Sequence, residues 1–113
     1  MQVQVNSDNS VDINDGFKTA VGAQIKKSFA RFDGRLTRVE LHFNDLNGDK
    51  GGTVDKRCLL EVRPAGLDPV VVTNRGATVD EAYKGAIRKM TRKLSTIFGR
   101  AEKMVADPAA GVR

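Results

Sequence analysis

The stretch TVDEAYKGAIRKMTRKLSTIFGR, residues 78–100, decides the fold. Tyr83, Ile87, Met90, Leu94 and Ile97, with Val79 and Phe98 beside them, recur at steps of three or four. That spacing gathers them on one side of an α-helix. Thr78 and Glu81 have the T-x-x-E pattern of a capping box, in which each side chain satisfies a free backbone N–H. Asp80 and Glu81 suit the positive end of the helix dipole, and Gly99 marks the expected helix end. Another side is basic: Lys84, Arg88 and Arg92 stand four apart, Lys89, Lys93 and Arg100 widen the strip, and no acidic residue lies between Lys84 and Arg100. A plain solvated face ordinarily mixes signs, because like charges four apart destabilise a helix slightly. A single-signed strip makes most sense where a polyanion neutralises it, and nucleic acid is the obvious candidate.

Upstream, the pattern switches between periods of two and of three to four. Met1, Val3 and Val5 alternate with Gln2 and Gln4, a short strand with one buried face. Val11 and Ile13 precede Asn14, a good N-cap for a helix through about Phe32. Phe17, Val21, Ile25, Phe29 and Phe32 share its apolar face; Lys26, Lys27 and Arg31 lie largely off that face, and Lys18 sits near its border. Three strands follow. Arg38–Asn44 points Val39, Leu41 and Phe43 inward; Lys56–Arg63 places Cys58, Leu60 and Val62 on one side; Val70–Thr73 is the third, before a turn at Asn74-Arg75-Gly76. The glycine-rich run Asp45–Thr53 reads as the loop between the first two of them. The order is β-α-β-β-β-α, an α+β fold. Strands joined by short loops form an antiparallel meander, and the first strand joins through a helical crossover, in parallel. Two helices on one face of a four-stranded sheet bury every apolar side. The other sheet face, with Arg38, Glu40, His42, Arg57, Glu61 and Arg63, meets water.

At 113 residues the chain is one domain, 1–104, with a flexible tail at 105–113. Apolar residues at 40% and charged residues at 29% place it among globular rather than disordered chains. A net charge of +5 and a pI near 9.7 favour an acidic partner. No apolar run is long enough to span a bilayer, and the N-terminus lacks the pattern of a secretory signal, so a cytoplasmic protein without a membrane partner is expected. Cys58 is the one cysteine, which excludes a disulfide framework.

Enzyme chemistry finds no constellation. His42 alternates outward with no second histidine and no nucleophile at a telling spacing. Cys58 falls on an inward position, where a small buried hydrophobe is the simpler reading than a reactive thiolate. Asp45-Leu46-Asn47-Gly48-Asp49 begins like a calcium loop, but Lys50 and Lys56 stand where glycine and a bidentate glutamate are needed. The glycines there do not make a phosphate-binding loop either. No catalytic residue, metal, cofactor or small-molecule substrate is expected. The basic residues remain. Because a helix cannot read bases in the narrow major groove of A-form RNA, helix-borne cations imply recognition of phosphate and shape.

With this order and basic second helix in place, the chain resembles the ribosome hibernation-promoting factor family, which includes the ribosome-associated inhibitor and the sigma-54 modulation proteins. The resemblance covers about residues 1–103. It rests on Val11-Asp12-Ile13 leading into the first helix, on Phe32-Asp33 closing it, and on Arg88-Lys89-Met90-Thr91-Arg92-Lys93-Leu94 in the second. It implies a domain like those that bind double-stranded RNA, seated on the small ribosomal subunit against ribosomal RNA. There it would block the messenger and transfer RNA cleft in stressed or stationary-phase cells. The family's basic residues map onto Lys18, Lys27, Lys89 and Arg92. Lys26, Arg31, Lys84, Arg88, Lys93 and Arg100 are added from the charge pattern. The chain departs from the family pattern at Thr78–Tyr83 and at Thr96. It matches the short form, without the dimerisation domain of long members, so a monomer off the ribosome is expected. A structured-RNA binder acting elsewhere, and an interaction module for an acidic protein, are the alternatives.

Overall fold

The computed structural model describes residues 1–8, 11–46 and 55–106, with side chains described as far as Gly99. The loop residues 47–54 and the tail residues 107–113 lie outside the described residues, as does the side chain of Arg100. The elements run β1 (Gln2–Ser7), α1 (Asp15–Ser28), a 3₁₀ turn (Ala30–Phe32), β2 (Leu36–Asp45), β3 (Lys56–Pro64), β4 (Val70–Gly76) and α2 (Val79–Ala106). The sheet order is β1-β2-β3-β4, with β1 parallel to β2 and the other neighbours antiparallel. This is the expected α+β arrangement of two helices on a four-stranded mixed sheet.

Both helix starts form as the sequence implies. Asn14 accepts a 2.8 Å hydrogen bond from the Phe17 N–H, and Thr78 accepts one of 3.1 Å from the Glu81 N–H. The reciprocal half of the capping box differs, since the Glu81 carboxylate meets the Thr78 hydroxyl at 3.4 Å rather than a backbone N–H. Three boundaries also shift. The first helix stops at Ser28 and tightens into the 3₁₀ turn, with the Phe32 N–H reaching back three residues to the Phe29 carbonyl. The fourth strand continues through Asn74 and Arg75 to Gly76, because β3 offers them partners in Cys58, Arg57 and Lys56. The second helix passes Gly99, where its end was expected, and runs to Ala106. A glycine costs a helix only about 1 kcal/mol, and Gly99 is in open space with no turn to impose.

The core lies between sheet and helices. Val39, Leu41, Phe43, Cys58, Leu60 and Val62 are fully buried from the sheet, facing Val21, Ile25 and Phe29 from the first helical segment and Met90 and Leu94 from α2. Phe17, Phe43 and Tyr83 meet edge to face, with ring centroids 5.6, 5.9 and 6.4 Å apart, and so join α1, β2 and α2 near one end. At the other end Phe32 packs on Phe98 at 5.4 Å. Phe17 and then Phe32 meet Tyr83 and then Phe98, so the first helical segment with its 3₁₀ turn runs parallel to α2. Burial pushes the Tyr83 phenol above its ordinary value, with the Asp80 charge adding to the effect.

Small residues set how closely α2 approaches the sheet. Ala82 and Ala86 are fully buried, and Gly85 stands against the Asn74 side chain, whose Nδ2 lies 2.0 Å from where a Cβ would sit. Asn74 in turn donates to the carbonyls of Glu81 and Ala82 at 3.3 and 3.1 Å. Gly76 allows a similar approach to the first turn of α2.

Candidate nucleic-acid interface

The two faces of the molecule treat their charges differently. On the sheet, cations are paired with acids or amides. Arg38 meets Glu40 at 3.3 Å and also Gln4. Arg63 meets Glu61 at 3.4 Å, Lys56 meets Asp45 at 2.8 Å, Arg57 donates to Asn44 at 3.0 Å, and Arg75 pairs with Asp55. The Arg75 hydrogen bond holds the Asp55 carboxyl below its usual value. On the helices, Lys18, Lys26, Lys27, Lys84, Arg88, Lys89, Arg92 and Lys93 are all exposed, and among the described residues none forms an ion pair.

The helix cations are not one continuous patch. Lys84 and Arg88 line a hollow of about 230 Å³ with Gln24, Ser28 and Ile87, between the two helices. Lys27 stands three residues after Gln24 and next to Ser28 in the last turn of α1. Arg31 donates to the Ser95 hydroxyl of α2 and stacks 4.7 Å over the Phe32 ring. Lys89, Arg92 and Lys93 instead line a groove of about 530 Å³ between α2 and β4, floored by Val70, Val72 and Ile97. The Lys89 ammonium donates to the Thr73 carbonyl there at 2.9 Å. Lys26 lies apart again, in a hollow with Met1, Ala30 and Asp33 on the β1 side, and Lys18 occupies the same four-residue row two turns earlier.

Arg35 was missed from the sequence. Just past the turn at Gly34, whose φ of 84° glycine tolerates, its guanidinium stacks 4.0 Å over the Phe98 ring. It extends the cationic end begun by Arg31. No spacing rule finds it, because it belongs to a turn and reaches α2 only in the folded chain.

The remaining chemistry is sparse. His42 is exposed on the sheet face. Cys58 is fully buried, and burial pushes its thiol up to about 12, so it is no nucleophile in the folded protein. Among the described residues no three metal-capable side chains come together, and no helix is long and apolar enough to cross a membrane.

No protein-family model matches this sequence, and no curated protein does. Solved structures do. The chain is similar to the N-terminal domain of Protein Y from Thermus thermophilus, with a TM-score of 0.69 and 16% identity over 86% of this chain and 99% of that one. It is similar too to a ribosomal subunit interface protein from Coxiella burnetii, with a TM-score of 0.66 and 14% identity over 88% and 99% of the two chains. At such identities the likeness is one of fold. The α+β fold expected from the sequence is the fold this chain adopts and shares with these two structures.

Proposed function

We propose that this protein is a ribosome-associated inhibitor of translation that docks its two helices on ribosomal RNA of the small subunit and blocks the messenger and transfer RNA cleft. The observation that carries the reading is the contrast between faces: the sheet cations are held by acids or an amide within the protein, whereas among the described residues the exposed cations of α1 and α2 form no ion pair. Unpaired cations on rigid helices suit phosphates, whose binding releases counterions and falls with salt. The ribosome comes into the proposal through the fold, shared with a ribosomal subunit interface protein. Lys84 and Arg88 at the inter-helix hollow, Lys27 and Arg31 on the first helical segment, and Lys89, Arg92 and Lys93 on the β4 side of α2 are the proposed RNA-facing residues. Lys18 and Lys26 extend the surface on the β1 side, and Arg100 is proposed with them from its place in the sequence.

The mechanism is steric. It needs no catalytic group or cofactor, and it places the protein in the cytoplasm. Competition with transfer RNA is the discriminating experiment. If the protein occupies the cleft, saturating it on small subunits displaces labelled transfer RNA. Binding of both together would leave a structured-RNA role elsewhere as the better account.

A further inference from the structure

The groove between α2 and β4 differs in kind from the hollow between the helices. Its floor is apolar, made by Val70, Val72 and Ile97, and its rim is cationic, made by Lys89, Arg92 and Lys93. A phosphate backbone would use the rim and waste the floor. The groove also runs along a sheet edge: β4 pairs with β3 on one side, and no described strand pairs with the other. An edge strand offers free N–H and C=O groups to any extended chain, and lysines commonly guard such edges. Here Lys89 does so, holding the Thr73 carbonyl at 2.9 Å. On the opposite face of the same strand Val71 is 46% exposed, ahead of the polar Thr73 and Arg75, and Leu67 in the preceding turn is 44% exposed.

We infer that this edge is a docking site for an extended acidic peptide segment of a partner protein, added as a further strand beside β4. Backbone groups of β4 supply the register, as in other cases of strand addition. Side chains pointing toward α2 would be carboxylates opposite Lys89 and Lys93, with one apolar residue against Val70 and Ile97. Alternate side chains, pointing the other way, would be apolar and cover Val71. Entry requires the Lys89 ammonium to leave the Thr73 carbonyl, which it exchanges for a peptide carboxylate. The charge complementarity of the rim selects acidic segments. Because Lys89 and Arg92 also belong to the proposed RNA surface, peptide and RNA would exclude one another. The docking site itself does not depend on the ribosome reading.

The test is a titration of the isotope-labelled protein with the fluorescein-tagged peptide IVEVEVE, without ribosomes, followed by amide chemical shifts and fluorescence anisotropy. The expected result is saturable binding that moves the Val71 and Thr73 amides and those near Ile97. Lys93→Glu and Val71→Lys should each weaken it at least tenfold while the spectrum of the folded protein is kept. A counterpart N-methylated at alternate amides retains the charge but loses strand pairing, and should bind at least tenfold more weakly. Equal binding of that counterpart, shifts confined to the inter-helix hollow, or no binding would each overturn the proposal. So would a short RNA duplex that moves the β4 amides when the peptide does not.

Discussion

The Lys89 ammonium donates a 2.9 Å hydrogen bond to the backbone carbonyl of Thr73, tying the middle of α2 to the free edge of the sheet. The bond is exposed, and water can replace it on either side. Lys89→Met should therefore lower stability by less than about 1 kcal/mol in urea denaturation. A larger loss would mean that Lys89 is chiefly a structural strut.

Charge reversal at the same place should separate binding from folding. Lys89→Glu with Arg92→Glu alters two exposed positions that form no ion pair among the described residues, so circular dichroism and the melting temperature should stay close to those of the parent. Binding to small ribosomal subunits should fall by at least tenfold. Unchanged binding by a normally folded double variant would remove these two residues from the interface.

Gly85 reverses an ordinary rule. Glycine to alanine inside a helix usually stabilises by about 1 kcal/mol. At Gly85 the new Cβ would lie 2.0 Å from the Asn74 Nδ2, forcing that amide off the Glu81 and Ala82 carbonyls. Gly85→Ala should destabilise by about 1–3 kcal/mol, the size of over-packing effects. In the Asn74→Ala background the same change should cost less or stabilise, and a double-mutant cycle in urea measures the coupling.

This contact also marks where sequence reasoning stopped. The strands were legible because Val39, Leu41 and Phe43 alternate cleanly with polar neighbours. The long helix was legible because its apolar stripe and its Thr78 start agree. Yet Ala82, Gly85 and Ala86 carry no hydrophobic signal strong enough to mark a buried side, and only the closeness of β4 explains them. The division of basic residues was hidden for a related reason. Lys84 and Arg88 diverge from Lys89 and Lys93 around one helix, and the sequence does not say which neighbour each side meets. The end of β4 was misplaced because Asn74-Arg75-Gly76 has turn composition, whereas pairing with β3 outweighs that local preference.

Phe43 is 1% exposed at the centre of the contacts with Phe17 and Tyr83. Phe43→Ala should cost about 3–5 kcal/mol, the range for a buried phenylalanine whose cavity cannot close. Chemical denaturation checks this, and a loss under 1 kcal/mol would mean that the three rings repack.

Cys58 supplies a pH prediction. Its thiol is raised to about 12 by burial, while the unfolded thiol titrates near its ordinary value. The folded pKa is the higher one, so the contribution is complete below the unfolded pKa and is lost as pH rises toward the folded one. Stability should fall above about pH 9, by up to about 1.4 kcal/mol per pH unit from this group. Cys58→Ala should flatten that part of the profile. A thiol reagent at pH 8 should label the protein only after denaturation, and rapid labelling of the native state would contradict the buried position.

The central claim is tested most directly by sedimenting the purified protein with ribosomes through sucrose gradients at low and moderate salt. The account predicts migration with the small subunit, weakened as salt rises because released counterions contribute to binding. It also predicts that fractions carrying the protein are inhibited in translation. Protein left at the top of the gradient at both salts would contradict the ribosome reading, however faithfully the fold has been kept.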